Sequence, residues 1–398
     1  MTESATPEIE DFRRQFRSWL RTADVPPLSY WVSVRTSGGE DIFDELRQWQ
    51  RTLYASGWLG LDLPTEYGGR SLPTLYQSAI YEELVRARAP LPIGVVGLDV
   101  MAPTLVRHGS ADQKAALLPP ILSGDDIWCQ GFSEPEAGSD LASLRTRARV
   151  DGDQITIDGQ KIWTSFAKQA TWCAVLARTG SFESRHRGIS YVLVPLPSDG
   201  ITIHSILQIT GDNEFNALTF DNVKVPISNL VGGMSDGWSV AMDTLSHERS
   251  YHVLQRRVNV EVALTEIIGA IRDATPNARR YLERIGMYTR LGHLCSTVAV
   301  LDAQARQIVA YIDGDQQRKS GSESIDKLIL SQTEQELFSL GEDLLGAYRQ
   351  TPDARPLGLD AARWIHDYLY SRSMSVAGGT REIQRNIVAT RVLGLPRS

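Results

Sequence analysis

Three stretches of the chain carry residue types and spacings that could do chemistry. In FSEPEAGSD, Glu134-Pro135 and then Ala137-Gly138-Ser139-Asp140 read as a tight loop. Glycine there lets a ligand come close to backbone, and Ser133 and Ser139 put hydroxyls on the loop. Roughly thirty residues on, Trp163 and Ser165 flank Thr164 at strand spacing, so they share a face. An aromatic plane beside a hydroxyl suits a flat heteroaromatic cofactor that needs a stacking partner and a donor near a ring nitrogen. It also suits a Trp that fills a domain junction. In SVAGGTREIQRN, two glycines and Thr380 run into a helix expected over 380–388. Such a start favours an anion such as phosphate, and the same pattern serves a plain turn with an N-cap. The third stretch, TLSHERSYH, sets Glu248 beside Arg249 on an expected helix. Taken alone, that pair reads as a solvated helix face.

Several chemistries find no foothold. Cys129, Cys173 and Cys295 are scattered, without metal-ligand spacing, and read as buried small hydrophobes in a reducing cytoplasm. The seven histidines show no His-x-x-x-His pattern, so no metal site is expected. No Gly-x-Ser-x-Gly, Walker or Gly-x-Gly-x-x-Gly motif occurs. Net charge is −7 with pI near 5.6, a poor match for nucleic acid or an anionic membrane. No apolar run approaches the ~20 residues needed to span a bilayer. The start MTESATPEIEDFRR lacks a basic region leading into an apolar one, so no secretory signal is expected.

The elements that must position these residues fall into three segments. Over 1–124 the periodicity is helical: Ile9, Phe12, Phe16 and Leu20 form one stripe, and Ser110 with Gln113 form a capping box. Over 125–232 short strands follow one another, with two Asp-Gly pairs in ARVDGDQITIDGQKIW as hairpin signals. A small antiparallel β domain is expected there. Over 233–398 long helical stretches return, among them 281–312 and 324–348. The predicted fold class is α+β, with an N-terminal helical domain, a central β domain and a C-terminal four-helix bundle.

With these motifs in order, the chain resembles the acyl-CoA dehydrogenases. FSEPEAGSDLASLRTRA resembles the first signature of that family, GQKIWTS its flavin-facing strand, and AGGTREIQRNIVATRVLGLP its C-terminal signature. LPTEYGGRSLP and RHGSADQKAALLPPILSGD resemble the N-terminal domain. The resemblance implies FAD as cofactor, no metal, and α,β-dehydrogenation of an acyl-CoA. It implies that Ser133 and the backbone from Gln130 to Phe132 meet the pyrimidine side of the flavin. Trp163 would lie against the isoalloxazine, with Ser165 near N5 or O4. Gly138 and Ser139 would meet the pyrophosphate or pantetheine arm, and Gly379, Thr380 and Glu382 would lie near the FAD pyrophosphate.

The chain departs from the family pattern in two places. Many members carry a catalytic Glu directly before the Gly-Thr of the C-terminal signature, and here that place is Gly378. The resemblance to a branch with its base on the first helix of the bundle points to Glu248 instead, with Arg249 at the CoA end. The Arg-x-x-Phe-Gly loop that reaches a neighbouring subunit's FAD is also missing from ATPNARRYLERIGMYTRLG. The expected partners are an acyl-CoA or acyl-carrier-protein substrate and an electron-transferring flavoprotein. A homodimer or homotetramer is expected, or a heteromer with a paralogous subunit. The competing readings are a flavin oxidase or monooxygenase on the same fold, or a non-catalytic subunit.

Overall fold

A computed structural model describes residues 7–29, 40–284, 286–314, 320–351 and 353–396. The chain divides into two compact units, Met1–Glu248 and Arg249–Ser398.

In the first unit, helix α1 (Pro7–Leu20) turns Ile9, Phe16 and Leu20 inward as the stripe predicts. Helix α2 (Glu40–Ala55) stops just before Gly57, whose φ of +76° ends the helical path. Helices α3 (Thr74–Arg86), α4 (Ala102–His108) and α5 (Ala111–Ser123) complete this part. Both bonds of the capping box between Ser110 and Gln113 are made, which fixes where α5 begins.

Eight strands follow: β1 (Trp128–Gly131), β2 (Arg147–Asp151), β3 (Gln154–Ser165), β4 (Trp172–Arg178), β5 (Ile189–Pro195), β6 (Ile201–Ser205), β7 (Phe215–Pro226) and β8 (Leu230–Val231). They form one sheet in the order β6-β7-β3-β2-β4-β5-β8, with β1 paired to β4. Antiparallel pairing dominates, yet β1 and β2 each pair with β4 in parallel, so the sheet is mixed rather than purely antiparallel. The first Asp-Gly pair turns the β2–β3 hairpin at Gly152. The second does not make a turn. Gly159 lies inside β3 at a register shift, and a Cβ there would stand 2.6 Å from the Cα of Thr146. The glycine serves close packing and a bulge.

Alternate residues of β4 enter different cores. Cys173, Val175 and Ala177 join one cluster, while Ala174 and Leu176 join a second with Trp128, Tyr191 and the N-terminal helices. Both faces are covered, which is why β4 and β5 read as unbroken apolar runs. Cys129 and Cys173 are buried as expected; Cys295 is exposed, because it falls on the outer side of a bundle helix.

Helix α6 (Gly237–Arg272) carries the chain from the first unit into the second. The second unit continues with α7 (Pro276–Arg284), α8 (Met287–Ile312), α9 (Glu323–Leu345), α10 (Ala361–Ser371) and α11 (Arg381–Ile387). The single helix expected over 281–312 is therefore two, divided at Gly286 with φ +72°; Ile285 lies outside the described residues. Helices α9 and α10 approach closely at Gly341, where a Cβ would sit 2.2 Å from the buried Trp364 ring. Among the described residues, no helix is long and apolar enough to cross a membrane.

Candidate active site

In the first unit, β1 runs into the loop that carries Phe132, Ser133 and Glu134. Phe132 is buried and meets Tyr191 edge-on at 5.7 Å. Glu134 anchors the loop from beneath. Its carboxylate accepts from the backbone N–H groups of Arg145 (2.6 Å) and Thr146 (2.9 Å) and from the Lys161 ammonium (2.8 Å). Lys161 is fully buried on β3 and also donates to the Phe132 carbonyl at 3.0 Å. Burial alone pushes the Glu134 carboxyl up, but the Lys161 charge and these donors outweigh it and hold the group below its ordinary range. Burial is also the largest effect on Lys161 and lowers its ammonium, while the Glu134 charge opposes that.

The Ile162 N–H donates to the Ser133 carbonyl at 3.0 Å, which brings Ser133 beside Trp163. Here β3 shifts register between Lys161 and Thr164. Trp163 takes φ +63°, an uncommon value for a residue with a side chain. The result is an indole that is 56% exposed, next to a Thr164 that is fully buried. Ser165 is half-buried, and Phe215 supports the indole edge-on at 6.1 Å. Gly138 and Ser139 are exposed, and a Cβ on Gly138 would meet nothing within 4 Å. This donor set fits the FAD implied by the resemblance. It offers an exposed indole for stacking, hydroxyls on Ser133 and Ser165, and a β1 strand that, among the described residues, pairs with β4 alone.

Glu248 closes the same unit. It is half-buried on α6, and the Gln130 side-chain amide donates to its Oε2 at 3.4 Å. The side chain of Gln130, and not only its backbone, thus meets Glu248. Burial pushes the buried Tyr191 phenol well up, and the Glu248 charge adds to that effect.

One network was missed in the sequence. Asp243 accepts from Arg107 at 3.0 Å, contacts His108 Nε2 at 2.8 Å and lies 3.6 Å from His247 Nε2. The signal was present: Asp243 and His247 are four apart on one helix face. Burial opposes ionisation of Asp243, yet His247, His108 and Arg107 hold its pKa at about 2, from 3.8. A lowered carboxylate pKa stabilises the fold above the unfolded value, and that contribution is lost as pH falls through the folded one. Asp243→Asn should therefore cost about 2 kcal/mol near neutral pH. The difference from wild type should shrink as pH falls from about 4 to about 2; denaturant unfolding at a series of pH values measures it.

The remaining expected residues lie in the second unit. Arg249 is buried and paired with Glu323 at 3.1 Å, which ties α6 to α9. Gly378 and Gly379 take φ +65° and +99°, and Thr380 caps α11 by accepting from the Ile383 N–H at 3.3 Å. The helix begins one residue later than expected because Thr380 is its cap. Glu382 is exposed; its own backbone N–H and then the Thr380 hydroxyl hold its carboxyl low. Among the described residues, no cluster of His, Cys, Asp and Glu could hold a metal.

Family models cover almost the whole chain: Acyl-CoA dehydrogenase, N-terminal domain over residues 6–125, middle domain over 129–223 and C-terminal domain over 235–393. The chain is 38% identical over 393 residues to acyl-CoA dehydrogenase IpdE1 of Mycobacterium tuberculosis, covering 98% of each. Among solved structures it resembles a chain of the ChsE4-ChsE5 complex from Mycobacterium tuberculosis, with TM-score 0.85 and 29% identity over all of both chains. The Tcur3481-Tcur3483 steroid ACAD is similar at TM-score 0.85 and 28% identity, again over all of both chains.

Proposed function

The chain belongs to the acyl-CoA dehydrogenase family, and from that premise we propose that it desaturates the α,β bond of a bulky acyl-CoA, with FAD as cofactor and Glu248 as base. One observation carries this reading. The Glu248 carboxylate hydrogen-bonds Gln130, on the strand that leads into Ser133 and so to the exposed Trp163.

When bound, the flavin supplies the hydride acceptor for the β carbon. The chain's own residues do the rest. Glu248 takes the α proton at its carboxylate, whose Oε2 accepts from the Gln130 amide. Trp163 offers its indole face to the flat ring, and Ser133, Ser165 and the backbone from Gln130 to Phe132 offer donors at its edge. Gly138 and Ser139 leave open space for a phosphate or pantetheine arm. Gly379 and Thr380 face the pyrophosphate side. Arg249, whose Nη2 pairs with Glu323, is assigned to the CoA end through its remaining donors.

We further propose a hetero-oligomer with a paralogous subunit and an electron-transferring flavoprotein as acceptor. The missing Arg-x-x-Phe-Gly loop supports the first, as do two similar solved structures, the ChsE4-ChsE5 complex and the Tcur3481-Tcur3483 steroid ACAD. A steroid ACAD among them makes a steroid-derived acyl-CoA the leading substrate.

Anaerobic mixing with a panel of acyl thioesters tests the reading at the flavin absorbance band. The panel holds straight, branched and steroid-derived CoA thioesters and one carrier-protein thioester. Bleaching by the bulky CoA members and slow reoxidation in air are expected. Bleaching by none of them would overturn the proposal; fast reoxidation in air would make the chain an oxidase.

A further inference from the structure

The loop from Ala377 to Thr380 is held from one side by two buried side chains. Lys327, on α9, is 9% exposed and hydrogen-bonds the carbonyls of Ala377 and Gly379, the latter at 2.6 Å. Gln384, on α11, is 1% exposed and donates its amide to the carbonyls of Gly378 at 3.0 Å and Gly379 at 3.1 Å. Three successive carbonyls are thereby turned toward the same pair of donors. Successive residues of one helical hand align their carbonyls in this way, and here Gly378 and Gly379 do so at positive φ, a conformation open to glycine. A Cβ on Gly379 would stand 2.6 Å from Gln384 Nε2, so the grip also depends on that glycine.

Peptide geometry fixes the consequence. Across a trans peptide the N–H points opposite to the preceding C=O. Carbonyls 377, 378 and 379 face Lys327 and Gln384, so the N–H groups of Gly378, Gly379 and Thr380 face the other way. Adjacent N–H groups in such turns form a concave donor surface for anions. The ammonium beneath neutralises the carbonyl ends of the same dipoles and leaves the outer face positive.

We propose that Lys327 is a positioning residue for the cofactor. Its ammonium holds the Gly378–Gly379 turn in the one conformation that presents the loop's N–H groups to the phosphate end of FAD. This rests on the reading above that the loop lies on the cofactor side. A long cationic side chain is almost never buried without partners to reward it, and the partners here include the loop's own carbonyls.

The test compares FAD binding to the cofactor-stripped protein, purified with its partner subunit if one co-purifies, by quenching of flavin fluorescence. Riboflavin, which lacks the phosphates, is the control probe. Lys327→Met should weaken FAD at least tenfold and leave riboflavin affinity and the far-UV spectrum within twofold of wild type. FAD affinity within twofold of wild type, or equal losses for FAD and riboflavin, would overturn the proposal. Should Lys327→Met not fold, Lys327→Gln carries the same comparison, since it keeps a donor and loses the charge. Gly379→Ala separates this inference from the reading beneath it. If Gly379→Ala weakens FAD and Lys327→Met does not, only the role of Lys327 fails; if neither does, the loop is not on the cofactor side.

Discussion

Glu248→Gln is expected to slow anaerobic flavin bleaching by a bulky acyl-CoA by roughly 10²–10⁴-fold, the usual contribution of a positioned general base. The amide is isosteric and still accepts from Gln130, so fold and flavin content should stay at wild-type levels. Breaking the α C–H bond needs a proton acceptor, and the place where many family members carry that carboxylate is glycine here, Gly378. Glu248 instead lies half-buried, with Gln130 against it and the buried Tyr191 within reach of its charge. A solvated surface glutamate would have no such surroundings. Equal bleaching rates for the variant and wild type, measured by stopped flow, would remove Glu248 as the base.

Most helices could be located from sequence because their signals are local. The stripe of Ile9, Phe16 and Leu20 and the box of Ser110 and Gln113 each act within one or two turns. Gly286 broke an expected helix because a glycine's left-handed turn is a choice that helical periodicity does not report. The second Asp-Gly pair misled for a related reason. Gly159 is required by Thr146, just before β2, and nothing next to the glycine in sequence distinguishes that from a turn. The parallel pairing of β1 and β2 with β4 is likewise a long-range property of the sheet.

The candidate site divides along the same line. Ser133, Trp163 and Ser165 stood out by residue type. Strict alternation would have put Lys161 on the face of Trp163 and Ser165. The bulge between Lys161 and Thr164 reverses this, burying the lysine completely and exposing the indole. Asp243 was overlooked because two of its partners, Arg107 and His108, come from a helix about 135 residues away.

The buried lysine leads to the second large effect. Lys161→Met should destabilise the first unit by about 3–5 kcal/mol, the range for breaking a buried pair at one end. Glu134 would keep its two backbone donors, Arg145 and Thr146, but its charge would be left without a cation at a site only 8% exposed. The Phe132 carbonyl would lose a donor in the same step. Because Lys161 ties the loop beneath Ser133 to the strand that bears Trp163, flavin release should precede global unfolding in this variant. The double variant Glu134→Gln, Lys161→Met removes both charges and should recover more than half of the lost stability, since the penalty comes mainly from the stranded carboxylate. Chemical denaturation followed by far-UV circular dichroism and by flavin fluorescence reads both quantities. A Lys161→Met midpoint equal to wild type would mean that the backbone donors alone hold Glu134. A double variant no better than the single would mean that the ammonium's hydrogen bond to the Phe132 carbonyl, and not the stranded carboxylate, carries the cost.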